Sequence, residues 1–160
     1  MIREAKFADV IALANLLRQA HARSKYAALC EVDAAEAKRL LAAGIQRHGG
    51  QHDGATLVLV AEDGEKRVCG LFFGMLCRVY HIGDALEATD LFFYLGEGAD
   101  PRDAKRMLDT FTTWAEGVPK VVTIRHGATD TMGGYERVSR MFERRGMARS
   151  GVIYERRIDR

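Results

Sequence analysis

The sequence predicts a mixed α/β fold in which a central, mostly antiparallel sheet carries helices on both faces. Apolar runs rich in β-branched and aromatic residues predict six strands, at 2–6, 56–63, 67–80, 85–95, 120–126 and 152–158. Four segments with apolar residues at helical spacing complete the order β-α-α-β-β-β-α-β-α-β. A meander of three strands followed by a strand–helix–strand crossover gives a mixed sheet.

The composition fits a single domain spanning residues 1–160. Of the 160 residues 48% are hydrophobic and 29% are charged, which is typical of globular proteins. The formal net charge of +2 does not favour a nucleic-acid partner, and no run of 18 apolar residues indicates a membrane span. The amino terminus, MIREAKFADV, carries charges where a signal peptide needs an apolar core, so we expect a cytoplasmic protein. Three cysteines without a CxxC motif predict reduced thiols, and glycines between His48 and His52 argue against a metal site.

The first half of the chain predicts two helices and a hairpin. Val10, Leu13 and Leu17 follow the spacing of an amphipathic helix. Asp33 lies three residues before Glu36, the spacing of a capping box at the start of a second helix. Two apolar runs joined through Asp63-Gly64 then predict an antiparallel hairpin.

The fourth strand, ALEATDLFFYL (85–95), carries two carboxylates. Glu87 and Asp90 are three positions apart, an odd interval, so they are expected on opposite faces of the sheet. At most one of them can therefore point toward any one cleft.

A glycine-containing loop, YLGEGADPRDAKRM (94–107), joins this strand to the third helix. Backbone N–H groups at a helix start can bind a phosphate, but three acids face three bases across residues 96–106. Asp100 precedes Pro101, a preferred first helical residue, and is well placed as an N-cap. The sequence leaves open whether this loop is a capped helix start or a phosphate site.

The final predicted elements are a helix and a strand. Val138, Met141 and Phe142 mark a helix that ends at Arg144-Arg145-Gly146, with cations at the negative end of the helix dipole. Its arginines indicate either a solvated face or a contact for phosphate. Residues 152–158, VIYERRI, are predicted to close the sheet as a strand.

This order, with the loop between the fourth strand and third helix, resembles the GNAT N-acyltransferase superfamily. IREAKFADVIALANLLRQ is similar to its first strand and helix, and VLVAEDGEKRVCGLFFGML to its second and third strands. ALEATDLFFYL resembles its fourth strand, and RMFERRGMARSGVIYERRI its last helix and strand. SKYAALCEVDAAEAKRLL resembles a branch of the superfamily often carried by bacteriophages.

The resemblance implies acetyl transfer from acetyl-CoA to an amine of a small molecule or a protein, and it makes a homodimer plausible. Acetyl-CoA would insert between the fourth and fifth strands, and Glu87 or Asp90 would act as the base. Ser24 and Tyr26 either contact the acceptor or belong to an ordinary polar loop. The implied cofactor contacts are Phe93, Tyr94, Leu95, Gly96, Gly98, Arg102, Asp103, Ala104 and Lys105.

Two positions depart from the superfamily pattern. The pyrophosphate motif is Gln or Arg, two residues, Gly, one residue, then Gly or Ala; ended at Ala104, it places Ala99 and Arg102 where Gln/Arg and Gly are expected. Phe142 stands four residues before Gly146, at the position of the usual acidic tyrosine. Two hypotheses therefore stay open: an acetyl-CoA-dependent N-acetyltransferase, and a catalytically inactive GNAT-like binding or structural/assembly module, for example in a phage-related complex.

Overall fold

The computed structural model describes residues 1–158. Its strands form one sheet in the order β1-β2-β3-β4-β5, in which only the β4–β5 pair is parallel. The mixed, mostly antiparallel sheet predicted from the sequence is thus confirmed. The strands and longer helices are β1 (Ile2–Glu4), α1 (Val10–Ala22), α2 (Ala34–Gln46), β2 (Thr56–Glu62), β3 (Val68–Arg78), β4 (Leu86–Leu95), α3 (Arg102–Glu116), β5 (Val121–Arg125) and α4 (Tyr135–Arg144).

Helices cover both faces of the sheet, as predicted. On one face, Leu71 and Phe73 of β3 pack in a core with Leu13 of α1 and Leu41 of α2. On the other face, Phe72 packs against Phe111 of α3. Because side chains alternate between two buried faces, β2 and β3 have nearly continuous apolar sequences.

Two helix ends match their sequence signals. The Asp33 carboxylate accepts hydrogen bonds from the N–H groups of Ala35, at 2.9 Å, and Glu36, at 3.0 Å, and so caps α2. After α4 the chain turns through Gly146 at φ +80°, and the N–H of Met147 donates to the carbonyl of Phe142. This left-handed glycine ends the helix as expected.

The predicted closing strand at 152–158 is wrong. Residues 151–158 have no strand structure, and all of them are exposed. A strand is stabilised by a hydrogen-bonded neighbour and a buried face. This segment has neither, and three of its residues, Glu155, Arg156 and Arg157, are consecutive charges that favour solvent.

No helix within residues 1–158 combines the length and the apolar character needed to cross a bilayer.

Candidate functional site

The candidate site lies where β4 and β5 part. β5 pairs with β4 only from Leu86 to Thr89, and the last pair is Thr89 with Arg125. β4 continues to Leu95, whereas β5 ends at Arg125. Within the described chain, the second half of β4 therefore has a strand neighbour on the β3 side alone.

A β-bulge in β4 coincides with this gap. Phe73 of β3 pairs with Phe92 and the next residue, Gly74, pairs with Asp90, so Leu91 is an extra residue without a partner. A bulge bends its strand and increases the local twist. The bend begins two residues beyond the last pair with β5, so the bulge and the gap occupy the same stretch of β4.

The backbone donors of β4 point into the gap. The N–H of Gly96 donates to the carbonyl of Cys69 on β3, at 2.8 Å. Because the hydrogen-bonding direction alternates along a strand, the N–H groups of Phe93 and Leu95 point away from β3. They lie on the edge that β5 has already left, which makes them available to an oxygen atom of a ligand.

An aspartate–histidine pair lies where the pairing of β4 and β5 ends, a point that we call the vertex of the gap. Asp90 and His126 each follow directly after the last β4–β5 pair, and Nδ1 of His126 lies 2.7 Å from Oδ1 of Asp90. The imidazole side chain is 3% exposed and the carboxylate 15%. Since a carboxylate accepts, Nδ1 is the donor in this contact, and in a neutral imidazole Nε2 then carries the free lone pair. Residues 1–158 give Nε2 no hydrogen-bond partner, and this atom is not one of their fully buried unpaired atoms.

Aromatic rings hold this imidazole on the α3 side of the sheet. The Phe142 ring stacks on it with centroids 4.9 Å apart and planes 4° from parallel. Phe111 and Phe72 make edge contacts at 5.4 and 6.4 Å. The sequence prediction did not single out His126; the signal that could have found it is a polar residue at the carboxyl end of the strand that pairs in parallel with β4.

Glu87, the other candidate base, lies on the opposite face, as predicted. Its carboxylate binds Arg125 at 3.0 Å and accepts a long hydrogen bond from the Cys77 thiol at 3.6 Å. The hydrogen bond to Glu87 raises the pKa of Arg125. Burial, together with the Glu87 charge, raises the pKa of the Cys77 thiol. Glu87 is therefore engaged in an ion pair away from His126.

The loop before α3 has a structural role that the sequence indicated. The Asp100 carboxylate accepts from the N–H of Arg102 at 2.9 Å, and its carbonyl accepts from the N–H of Asp103 at 2.8 Å. Pro101 rather than Asp100 stands at the N-cap position of α3, but Asp100 occupies two N–H groups of the first turn, as the prediction required of a cap. Gly98 has φ +83°, and an added Cβ on Gly96 would lie 3.1 Å from the Cys69 carbonyl. Both glycines are thus needed for the path of the loop.

Charges at the start of α3 largely neutralise one another. The buried Asp103 carboxylate binds the Arg106 guanidinium at 2.8 Å and the Met1 ammonium at 3.1 Å. Burial opposes its ionisation, but these two hydrogen bonds hold the pKa of Asp103 below its ordinary value. Lys105 pairs with Asp109 at 2.7 Å. Arg102 is exposed and forms no ion pair with any residue of the described chain.

The remaining cofactor candidates divide between the two cores. The Phe93 ring contacts Phe72 at 5.4 Å, and Leu95 packs in the same core. Tyr94 packs on the opposite face, against α1 and α2. Ala104 is half-buried in the first turn of α3. Phe93 and Leu95 therefore face the gap with their backbone N–H groups, while their side chains lie in the core.

Ser24 and Tyr26 belong to a polar junction. The Tyr26 hydroxyl donates to Glu155 at 2.7 Å, and this hydrogen bond raises the pKa of Tyr26. Lys25 binds both Asp130 and Glu155 at 2.8 Å. The Ser24 hydroxyl accepts from the N–H of Tyr26. The junction joins the α1–α2 loop to the segment after β5 and to the segment after α4.

No protein-family model matches the chain, and no curated protein matches its sequence. Solved structures do match it over almost its whole length. Ribosomal-protein-alanine N-acetyltransferase from Brucella melitensis biovar Abortus 2308 has a TM-score of 0.64 at 18% identity, covering 99% of each chain. Glucosamine-6-phosphate N-acetyltransferase from Arabidopsis thaliana has a TM-score of 0.67 at 12% identity, covering 99% of this chain and 98% of that one. A transcriptional regulator from Bacillus halodurans C-125 has a TM-score of 0.68 at 15% identity, covering 99% of each chain.

These matches show the fold: it is GNAT-like, a mixed α/β arrangement shared with solved acetyltransferases. At such low identity they do not extend to the activity, because one fold serves many functions.

Proposed function

We propose that the chain is an N-acetyltransferase that moves an acetyl group from acetyl-CoA to an amine of a small molecule or a protein. One observation carries the proposal. β4 and β5 separate after Thr89 and Arg125, leaving a gap beside a bulged strand that leads directly into α3. The solved acetyltransferases with this fold support the same assignment.

The gap has the donors that acyl transfer requires. The N–H groups of Phe93 and Leu95 point into it and would polarise a thioester carbonyl as negative charge develops on its oxygen. Of the two candidate carboxylates, Asp90 is at the gap, whereas Glu87 binds Arg125 on the other face. We propose that the acceptor amine loses its proton on the Asp90 side.

The fit to the diphosphate of CoA is partial. Asp100 already occupies two N–H groups at the start of α3 and adds a negative charge there. Arg102 is the exposed cation beside them, so it would supply the attraction that the capped helix end lacks. The backbone could approach the diphosphate closely at Gly96 and Gly98. Lys105 would contribute a second positive charge. We therefore expect CoA to bind weakly, with an affinity that depends on Arg102.

Isothermal titration of the whole chain with CoA tests the proposal. The expected result is saturable heat release that is weakened by Arg102→Glu. Lys38→Glu, which reverses an exposed charge on the opposite face of the sheet, is the matched control and should bind as the wild type does. Bound CoA at 100 times its dissociation constant would also add roughly 2.7 kcal/mol to the free energy of unfolding. No heat and no thermal shift at millimolar CoA would contradict the proposal.

A second candidate is a catalytically inactive binding or assembly module of the same fold. The capped start of α3, together with Phe142 in place of a proton-donating tyrosine, favours it. It predicts the negative outcome of the CoA titration with a normally folded chain. Phage association, a cytoplasmic location and a homodimer stay predictions, as does a single domain over residues 1–160.

A further inference from the structure

We infer that His126 is the catalytic base of the proposed reaction and that Asp90 is its positioning residue. The inference rests on the proposed acetyl transfer. It replaces a lone carboxylate with a carboxylate-oriented imidazole whose Nε2 is the proton acceptor.

Asp90 and His126 lie next to the edge of β4 where the acyl group would bind. Thr89 and Arg125 form the last backbone pair of β4 and β5, and the next residue on each strand is Asp90 or His126. Their side chains meet at 2.7 Å on the α3 side of the sheet. An acyl group held by the N–H groups of Phe93 or Leu95 would lie along the same strand edge, a few residues from this vertex.

The unpaired ring nitrogen carries the second step. Only Nδ1 of His126 is paired among residues 1–158. Nε2 is not among the fully buried unpaired atoms of those residues, of which Trp114 Nε1 is the one recorded, so Nε2 keeps contact with solvent although the side chain is only 3% exposed. A general base needs this arrangement, with one ring nitrogen free and accessible and the other held by an orienting group.

The surroundings of the ring leave Asp90 as its one charged contact. From β3, α3 and α4 it meets the rings of Phe72, Phe111 and Phe142. Within the described residues, no charged side chain from those three elements forms a hydrogen bond or an ion pair with it. These contacts fix the plane of the imidazole, and the carboxylate fixes its tautomer.

The proton and electron movements balance. Nε2 takes a proton from the ammonium of the acceptor, which leaves a neutral amine. The nitrogen lone pair forms the new C–N bond, and the C–S bond of the thioester breaks. A second proton passes from that nitrogen to the departing sulfur, and the imidazolium returns its proton to water. The products are an amide, a thiol and one released proton.

Release of the CoA thiol from acetyl-CoA tests the inference. The acceptors are lysine, ethanolamine and a peptide that begins with alanine; if none reacts, hydrolysis by water is measured instead. His126→Gln should lower kcat by about 100-fold or more, since a general base contributes roughly 10²–10⁴-fold. Asp90→Asn should lower kcat by at least about tenfold, because its amide can donate to Nδ1 and hold the wrong tautomer. CoA affinity should change little in either variant.

The pH dependence separates a base from a packing residue. The pH–rate profile of the wild type should contain a limb that His126→Gln lacks, because only the wild type has a ring nitrogen that can accept the proton of the acceptor. His81→Asn is the matched control: His81 is exposed with φ +62°, a conformation that asparagine tolerates, and its loss should leave rate and pH profile unchanged.

Each outcome bears on one proposal. No CoA binding by the wild type contradicts the acyl-CoA cleft itself. If the wild type binds CoA but releases no thiol, the assignment of His126 as base is contradicted and the CoA-binding cleft is not. The same conclusion holds if the kcat of His126→Gln is within threefold of the wild-type value and its pH–rate profile keeps the same limb. Circular dichroism checks the fold of each variant, and if His126→Gln does not fold, Asp90→Asn decides.

Discussion

Gly74→Ala should destabilise the core that supports the site. An added Cβ would lie 2.6 Å from Cδ2 of Phe111 and 3.0 Å from Cε1 of Phe72, and it would also overlap Cε2 of Phe111. Both rings are fully buried, so neither can move freely into solvent. Overpacking of this kind costs about 1–3 kcal/mol.

The backbone partly offsets this cost. Replacing glycine by alanine where φ is negative stabilises by roughly 0.4–1 kcal/mol through the unfolded state. The middle of each range gives a net expected loss of about 1.3 kcal/mol, which lowers the unfolding temperature by roughly 3–5 °C for a chain of this size. Because Phe111 also contacts His126, the imidazole should be displaced with the ring.

Urea denaturation followed by circular dichroism measures the change. Gly64→Ala is the matched control, since nothing lies within 4 Å of a Cβ there and its φ is outside the left-handed region. The control should be within about 0.5 kcal/mol of wild type. A Gly74→Ala variant as stable as the control would refute the packing argument.

Three further predictions concern caps and a buried charge. Asp33→Ala should cost about 1 kcal/mol of unfolding free energy by denaturation, whereas Asp33→Asn, which keeps an acceptor for the same N–H groups, should cost little. Gly146→Ala should cost about 1 kcal/mol because φ is +80°, and a cost no greater than that of Gly64→Ala would contradict this. Asp103→Asn should cost about 1.5–3 kcal/mol at pH 7, since it weakens charge-assisted hydrogen bonds to Arg106 and Met1. The folded-state pKa of Asp103 is lowered, so the wild type's advantage should be full at neutral pH and shrink as pH falls below about 4; a gap independent of pH would count against it.

Local signals predicted most of the fold. The Asp33 cap and the Asp63-Gly64 turn depend on neighbouring residues alone, and both occur as expected. The other half of the predicted capping box does not form, because the Glu36 carboxylate binds Arg39 instead. The strand at 152–158 depended instead on a partner elsewhere in the chain. Its sequence alternation was suitable, but no ladder or buried face stabilises it.

The candidate site shows the same division. The opposite faces of Glu87 and Asp90 follow from strand geometry, so the sequence was sufficient. The contact between Asp90 and His126 joins residues 36 positions apart and depends on where β5 stops. No sequence signal predicted the bulge at Leu91, because it depends on how β4 aligns with β3.

Leu91 also fixes which side chains share a side of β4. Asp90 and Phe93 lie three positions apart yet both contact the α3 side, because the unpaired residue between them inverts the parity of everything downstream. Deleting this single codon would remove the bulge and make the β3–β4 register continuous from Gly74–Asp90 to Phe73–Phe92. Within this architecture, one in-frame triplet therefore decides which side chains of the first and second halves of β4 share a face of the sheet.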